Sequence, residues 1–168
     1  MGGGVGLGGP RTFDPSSAPD AGLDGKHKLR YDPKTFEIKI AQETRNQFDG
    51  GKTGSSWKSL TRGYLVGRLQ MVGDLLDWAE KAGKVGIDKQ DVEKLQPYYS
   101  EDPLVADHLL WAFFNSNLIG AAREIFCNVA ESRGLEVWRR ICLKINDRSE
   151  VRKDELYEKA RHRGYQEV

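Results

Sequence analysis

Histidines, cysteines and carboxylates are the first side chains to weigh for chemistry in this chain. Its three histidines, His27, His108 and His162, lie far apart, and two of them sit in polar stretches. His108 falls in an apolar segment, where a hydrogen-bonded core or boundary histidine is the expected role. A general base needs a partner that orients it. Asp107 is adjacent in sequence, but on a helix it points elsewhere, so it does not make a dyad. Cys127 and Cys142 lie among apolar neighbours and are expected to be buried thiols in a reducing compartment, the cytoplasm. With no histidine nearby they cannot supply four zinc ligands. Glu80, Glu93, Glu124, Glu131 and Glu136 are scattered at positions that suit solvated helix faces. Asp49-Gly50-Gly51 lacks the Ser or Thr of an aspartic protease loop. No phosphate loop, dinucleotide fingerprint or EF-hand occurs. The sequence therefore assigns no catalytic residue and no metal ligand, and it calls for no cofactor and no small-molecule substrate.

The remaining chemistry is charge. Between Arg139 and Arg163 stand nine Lys/Arg and five Asp/Glu, a local +4, while the whole chain is only +1. Arg140, Lys144 and Arg148 are four apart and line up on a helix, with Arg139 at the edge of the neighbouring apolar face. These four are candidate contacts for nucleic-acid phosphates. The same spacing also suits a solvated face laced with intrahelical ion pairs.

The elements that would carry this stripe are helical. The chain has 168 residues, 38% hydrophobic and 30% charged, enough for one core. No apolar run approaches the roughly 20 residues of a membrane span. Met1 to Gly25 is too poor in apolar side chains to repay ordering and is expected to be disordered. Phe36, Ile38 and Ile40 alternate with Glu37 and Lys39, which predicts a short extended segment over 35–41. Phe48-Asp49-Gly50-Gly51 predicts a turn. Ser55 or Ser56 can cap a helix carrying Trp57, Leu60, Tyr64, Leu65, Leu69, Val72, Leu76 and Ala79 on one stripe. Gly73 would kink or divide it. Asp88 and Asp91 open a short helix, and Asp102-Pro103 opens an apolar one. A polar break at 115–117, a helix over 119–132 and another over 135–145 follow. Ser149 could cap a last charged helix. The expected fold is all-α, a compact multi-helix bundle with a disordered Gly-rich N-terminus. Its parts are an arm over 1–34, a short strand and turn over 35–54, the bundle over 55–146, and a charged helix or linker over 147–168. Trp57, Trp78, Trp111, Phe126 and Trp138 are the expected core anchors.

Several segments, in order, resemble the capsid portion of a Gag polyprotein from long-terminal-repeat retrotransposons, nearest the copia type. They are Phe48-Asp49-Gly50 followed by Trp57, then Leu75 to Glu80, Leu109 to Phe114, Ala121 to Phe126, and Gly134-Leu135-Glu136-Val137-Trp138-Arg139-Arg140-Ile141. The last has Ile141 where that pattern carries Leu. The resemblance spans Phe48 to Lys153, about two thirds of the chain. It implies a capsid-like helical domain that self-associates into a shell around RNA and needs no active site. The zinc knuckle that often follows such a domain is absent, so the expectation is the front part of a longer polyprotein or a retained fragment. The competing expectation is a helical adaptor or nucleic-acid-binding module unrelated to transposons.

Overall fold

The computed structural model describes residues 32–166, so the Gly-rich stretch and His27 lie outside the described residues. Seven α-helices follow in order. They are α1 (Ile38–Gln42), α2 (Gly54–Arg68), α3 (Met71–Lys81), α4 (Lys89–Glu93), α5 (Pro103–Asn117), α6 (Gly120–Cys127) and α7 (Gly134–Gln166). Single 3-10 turns occupy Thr44–Asn46 and Gln96–Tyr98. The fold is all-α: among the described residues no strand forms, and Phe48 and Leu118 make an isolated bridge.

Of the extended segment expected over 35–41, residues 38–41 are helical instead, and 35–37 bend into that helix. Phe36 is buried edge-on to Phe113, with ring centroids 6.2 Å apart, and Ala41 is buried, whereas Ile38 faces solvent. The buried residues are thus five apart, not alternate ones. No neighbouring strand is present to satisfy an extended backbone, so the chain satisfies it locally. Arg68 holds this segment by donating to the Thr35 and Lys34 carbonyls, each at 2.9 Å. Tyr64 Oη accepts from the Glu37 N–H at 2.8 Å.

α2 begins at Thr53 as N-cap, without a side-chain cap from it or from Ser55 or Ser56. Its buried residues are Gly54, Trp57, Thr61 and Leu65, and Leu60 of the expected stripe is 69% exposed. The chain divides at Leu69, whose extended backbone ends α2, four residues before Gly73. Gly73 lies inside α3, where its carbonyl accepts from Arg62 at 3.2 Å. Asp88 and Asp91 form the expected reciprocal cap of α4. Asp102 caps α5 through Leu104 N–H at 2.9 Å, with Pro103 at the first position.

α5 runs through the expected break at 115–117, because Asn117 is not a surface residue. It is fully buried and accepts from Trp57 Nε1 at 2.9 Å. It also donates to the Ala41 and Asn46 carbonyls at 3.2 and 2.8 Å. One amide thereby ties α1, the following 3-10 turn and α2 to the end of α5. α6 is shorter than expected and stops at Cys127. The loop after it contains Ser132 in the left-handed region, φ 66°. Cys142 is buried, but Cys127 is exposed, contrary to expectation.

α7 is one helix of 33 residues, about 50 Å long. Ser149 starts nothing new. The sequence from 146 to 163 holds no proline or glycine and is rich in good helix formers. The pairs Glu150–Lys153 and Glu158–Arg161 lie one turn apart. α7 packs chiefly along α3 and α5, and it also meets α6 and α2 directly. The core centres on Trp57, Trp138 and Phe114, with Phe48 stacked on Trp57 at 4.8 Å and Phe114 stacked on Trp138 at 6.0 Å. Phe126 is buried as expected. Trp78 and Trp111 are half-buried at the core's margin, Trp111 lying between Phe126 and His108.

Where α7 starts, it lies directly on α5. A Cβ on Gly134 would sit 2.5 Å from Asp107 O and from Leu110 Cβ, and as near to Trp111 N. These are backbone and near-backbone atoms that cannot rotate away. Gly134→Ala is expected to lower stability by about 3 kcal/mol, at the upper end for overpacking. Gly63→Ala, where nothing lies within 4 Å, is expected to raise it by about 0.5–1 kcal/mol. Urea unfolding followed by tryptophan fluorescence reads both, and equal midpoints for the two variants would contradict the account.

Candidate nucleic-acid interface

Two of the four candidate cations are consumed inside the fold. Arg139 is buried and donates to Glu136 at 2.8 and 2.5 Å and to the Gly83 carbonyl at 2.7 Å. Arg140 donates to Glu136 at 2.8 Å and to the Asn128 carbonyl at 3.3 Å. Glu136 is therefore not on a solvated face: it is buried, and it also accepts from the Ile87 N–H at 2.8 Å. Burial pushes its carboxyl up, but the donors from Arg139, Ile87 and Arg140 outweigh that and hold it below the usual carboxylate range. The hydrogen bond from Glu136 holds Arg139 above its ordinary value. Arg139 is not free to meet a phosphate, and Arg140 is half-exposed with its Nε and Nη1 engaged. Glu80 is likewise half-buried, accepting from Trp138 Nε1 and Lys58 at 3.0 Å each.

Lys144 and Arg148 have the opposite fate. They face an open cleft of about 680 Å³ between α7 and the loop Phe48 to Ser55. Lys52 from that loop and Arg152 and Lys159 from α7 line it too, with Asp147 and Glu155 as its acids. None of these five cations is ion-paired to a described residue. Lys144, Arg148 and Arg152 are successive i, i+4 positions, so they share one face. The uncapped first turn of α2 opens onto the same cleft and adds to its positive potential. Arg152 was legible as the next step of the Arg140, Lys144, Arg148 spacing. Lys52 carried no sequence signal, since only the fold brings it to α7.

No family model matches the chain, and neither the curated proteins nor the solved structures contain a match to it.

The other reactive groups do not converge. His108 Nδ1 lies 2.6 Å from Ser132 Oγ, and its ring stacks on Trp111. Asp107 turns the other way. Its Oδ1 accepts from the Leu135 N–H at 2.7 Å, and its Oδ2 lies 2.9 Å from Arg133 Nη1, paired in charge but not aligned as a hydrogen bond. Burial pushes the Asp107 carboxyl up to about 6 against the pull of Leu135 and Arg133. Asp49 accepts from the Gly51 N–H at 2.7 Å and closes a turn. Among the described residues no group of three His, Cys, Asp or Glu comes together as metal ligands. No helix among them is long and apolar enough to cross a membrane.

Arg139→Ala is expected to cost about 3 kcal/mol, because it strands a buried carboxylate and a carbonyl. Arg140→Ala, which removes a half-exposed partner, should cost under about 1 kcal/mol. Chemical unfolding of both variants checks the order, and a reversed order would refute the assignment.

Asp107 gives a separate pH signature. Its folded carboxyl titrates above the unfolded value of 3.8. Its contribution is therefore complete below pH 3.8 and is lost as pH rises through about 6. Relative to Asp107→Asn, the wild type should lose on the order of 3 kcal/mol between those limits. Urea midpoints taken at intervals from pH 4 to pH 8 test this, and parallel curves would exclude it.

Proposed function

We propose that this chain is a Gag-like structural protein that holds RNA in the α7 cleft and self-associates into a capsid-like shell. The observation that carries the reading is the cluster of Lys52, Lys144, Arg148, Arg152 and Lys159, gathered from two elements and not ion-paired to any described residue. Lone surface cations usually find carboxylates or spread out, whereas a phosphate backbone calls for a continuous track. The chain's net charge of +1 means that the attraction is local to this face. An all-helical body whose ionisable groups are spent on packing and caps suits a subunit that binds and assembles. The unpaired thiols Cys127 and Cys142 suit a reducing compartment, and we assign the protein to the cytoplasm.

The adaptor reading shares the RNA surface and differs in assembly. Its support is the same cleft, which serves a discrete binding module equally well.

Binding to an unstructured single-stranded RNA, followed by fluorescence anisotropy, should weaken with salt. The expected slope of log K against log salt is about −3, from four to five phosphate contacts at roughly −0.7 each. Lys144→Glu with Arg148→Glu should reduce affinity more than about tenfold with the melting temperature unchanged. Salt-insensitive binding, or a charge-reversed variant that binds as well as wild type, would defeat the polyanion reading. Light scattering after size exclusion separates the two assembly states. Mass that climbs with concentration supports the shell, and a fixed monomer that still binds RNA supports the module.

A further inference from the structure

We infer that the cleft is an end site, which takes the terminal phosphate of a single-stranded nucleic acid at Lys52 and Lys144; this rests on the polyanion reading above. One face of α7 runs through Trp138, Ile141, Ile145, Arg148, Arg152 and Lys159 at alternating spacings of three, four and seven residues. Its inner half is buried in the core, and every residue from Glu150 to Arg163 is exposed. The cationic track therefore does not continue across the molecule. It stops where α7 enters the body.

The closure is tight. Ile145 lies against Gly54 so closely that a Cβ on the glycine would sit 2.7 Å from Ile145 Cγ1. Lys52, on the loop Phe48 to Ser55, lines the cleft beside this contact. A phosphate chain that follows Lys159, Arg152 and Arg148 inward reaches Lys144 and Lys52, where the seating of Ile145 on Gly54 bounds the cleft. A cleft of about 680 Å³ is within the range of single-ligand pockets, which suits the end of one strand and not the width of a duplex.

Charge selects what arrives there. A phosphate monoester carries about −1.5 to −2 near neutral pH, where an internal diester carries a single charge. The two lysines at the closed end match the terminal group better than an internal one. Asp147, also on the cleft, opposes them and keeps the preference moderate. Phe48 is the cleft's one aromatic, and it is buried against Trp57. Bases therefore find no stacking platform, and recognition is independent of sequence.

The test uses the full chain and one short unstructured RNA in four forms: 5′-phosphorylated, 3′-phosphorylated, hydroxyl-ended and circular. A phosphorylated form is expected to bind about tenfold tighter than the hydroxyl-ended one, with the circle weakest. Lys52→Ala with Lys144→Ala should erase that preference at an unchanged melting temperature. Equal, salt-dependent binding of all four forms would overturn the end site while leaving the polyanion reading intact. Absence of binding by every form would overturn both.

Discussion

The seating of α7 on α5 is the constraint on which the rest of the molecule depends. A 33-residue helix is a long lever, so a small change in angle at its first turn moves its far end by many ångströms. Three features fix that turn. Gly134 lets the backbones meet, Asp107 accepts from the first free N–H at Leu135, and Arg133 balances the buried carboxylate. The orphan donors of a helix N-terminus are usually met by a cap within the same segment. Here the acceptor comes from a neighbouring helix, so capping and helix packing are one interaction.

The rotational phase set at that point decides which cations remain available. Trp138 turns into the aromatic core, and one residue later Arg139 and Arg140 are brought over Glu136. The same phase carries Lys144 and Arg148 past the end of α2 to the loop at Gly50 to Ser55. A helix rotated by one residue would bury Lys144 or Asn146 in place of Ile145. Core composition thus selects the phase, and the phase delivers the cationic face as a consequence.

The sequence made the capping and the main helices legible, because those signals are local. Asp88 with Asp91 and Asp102 with Pro103 satisfy nearby N–H groups, and no distant contact can change that. Trp57, Phe126 and Trp138 were legible as anchors because large apolar side chains repay burial wherever the chain takes them. What failed depended on partners. Phe36, Ile38 and Ile40 alternate by coincidence, and only the position of Phe113 decides that one of them turns in. Asn117 reads as a break until three distant groups are known to need its amide. Arg139 reads as a surface cation because Glu136 reads as a surface anion, and each is buried only because the other is. For the same reason half of the candidate cationic site was legible and half was not: the i, i+4 spacing exposes the stripe but cannot say which of its members the body will absorb.

Beyond Ile145 the balance of forces on α7 changes. In the body, burial and aromatic contact hold the helix. From Glu150 to Arg163 every residue is exposed, and the helix relies on propensity and on ion pairs that are individually small. Lys144, Arg148 and Arg152 work against it, because like charges four residues apart repel by about 0.2–0.5 kcal/mol per pair. That repulsion is relieved when a polyanion lies along the face. The outer face is therefore less stable alone than it would be beside a polyanion, which is the reverse of the inner half, where Glu136 satisfies Arg139 and Arg140. One helix thus carries two treatments of the same charge: compensated within the body, and left without an ion pair to a described residue at Lys144, Arg148 and Arg152.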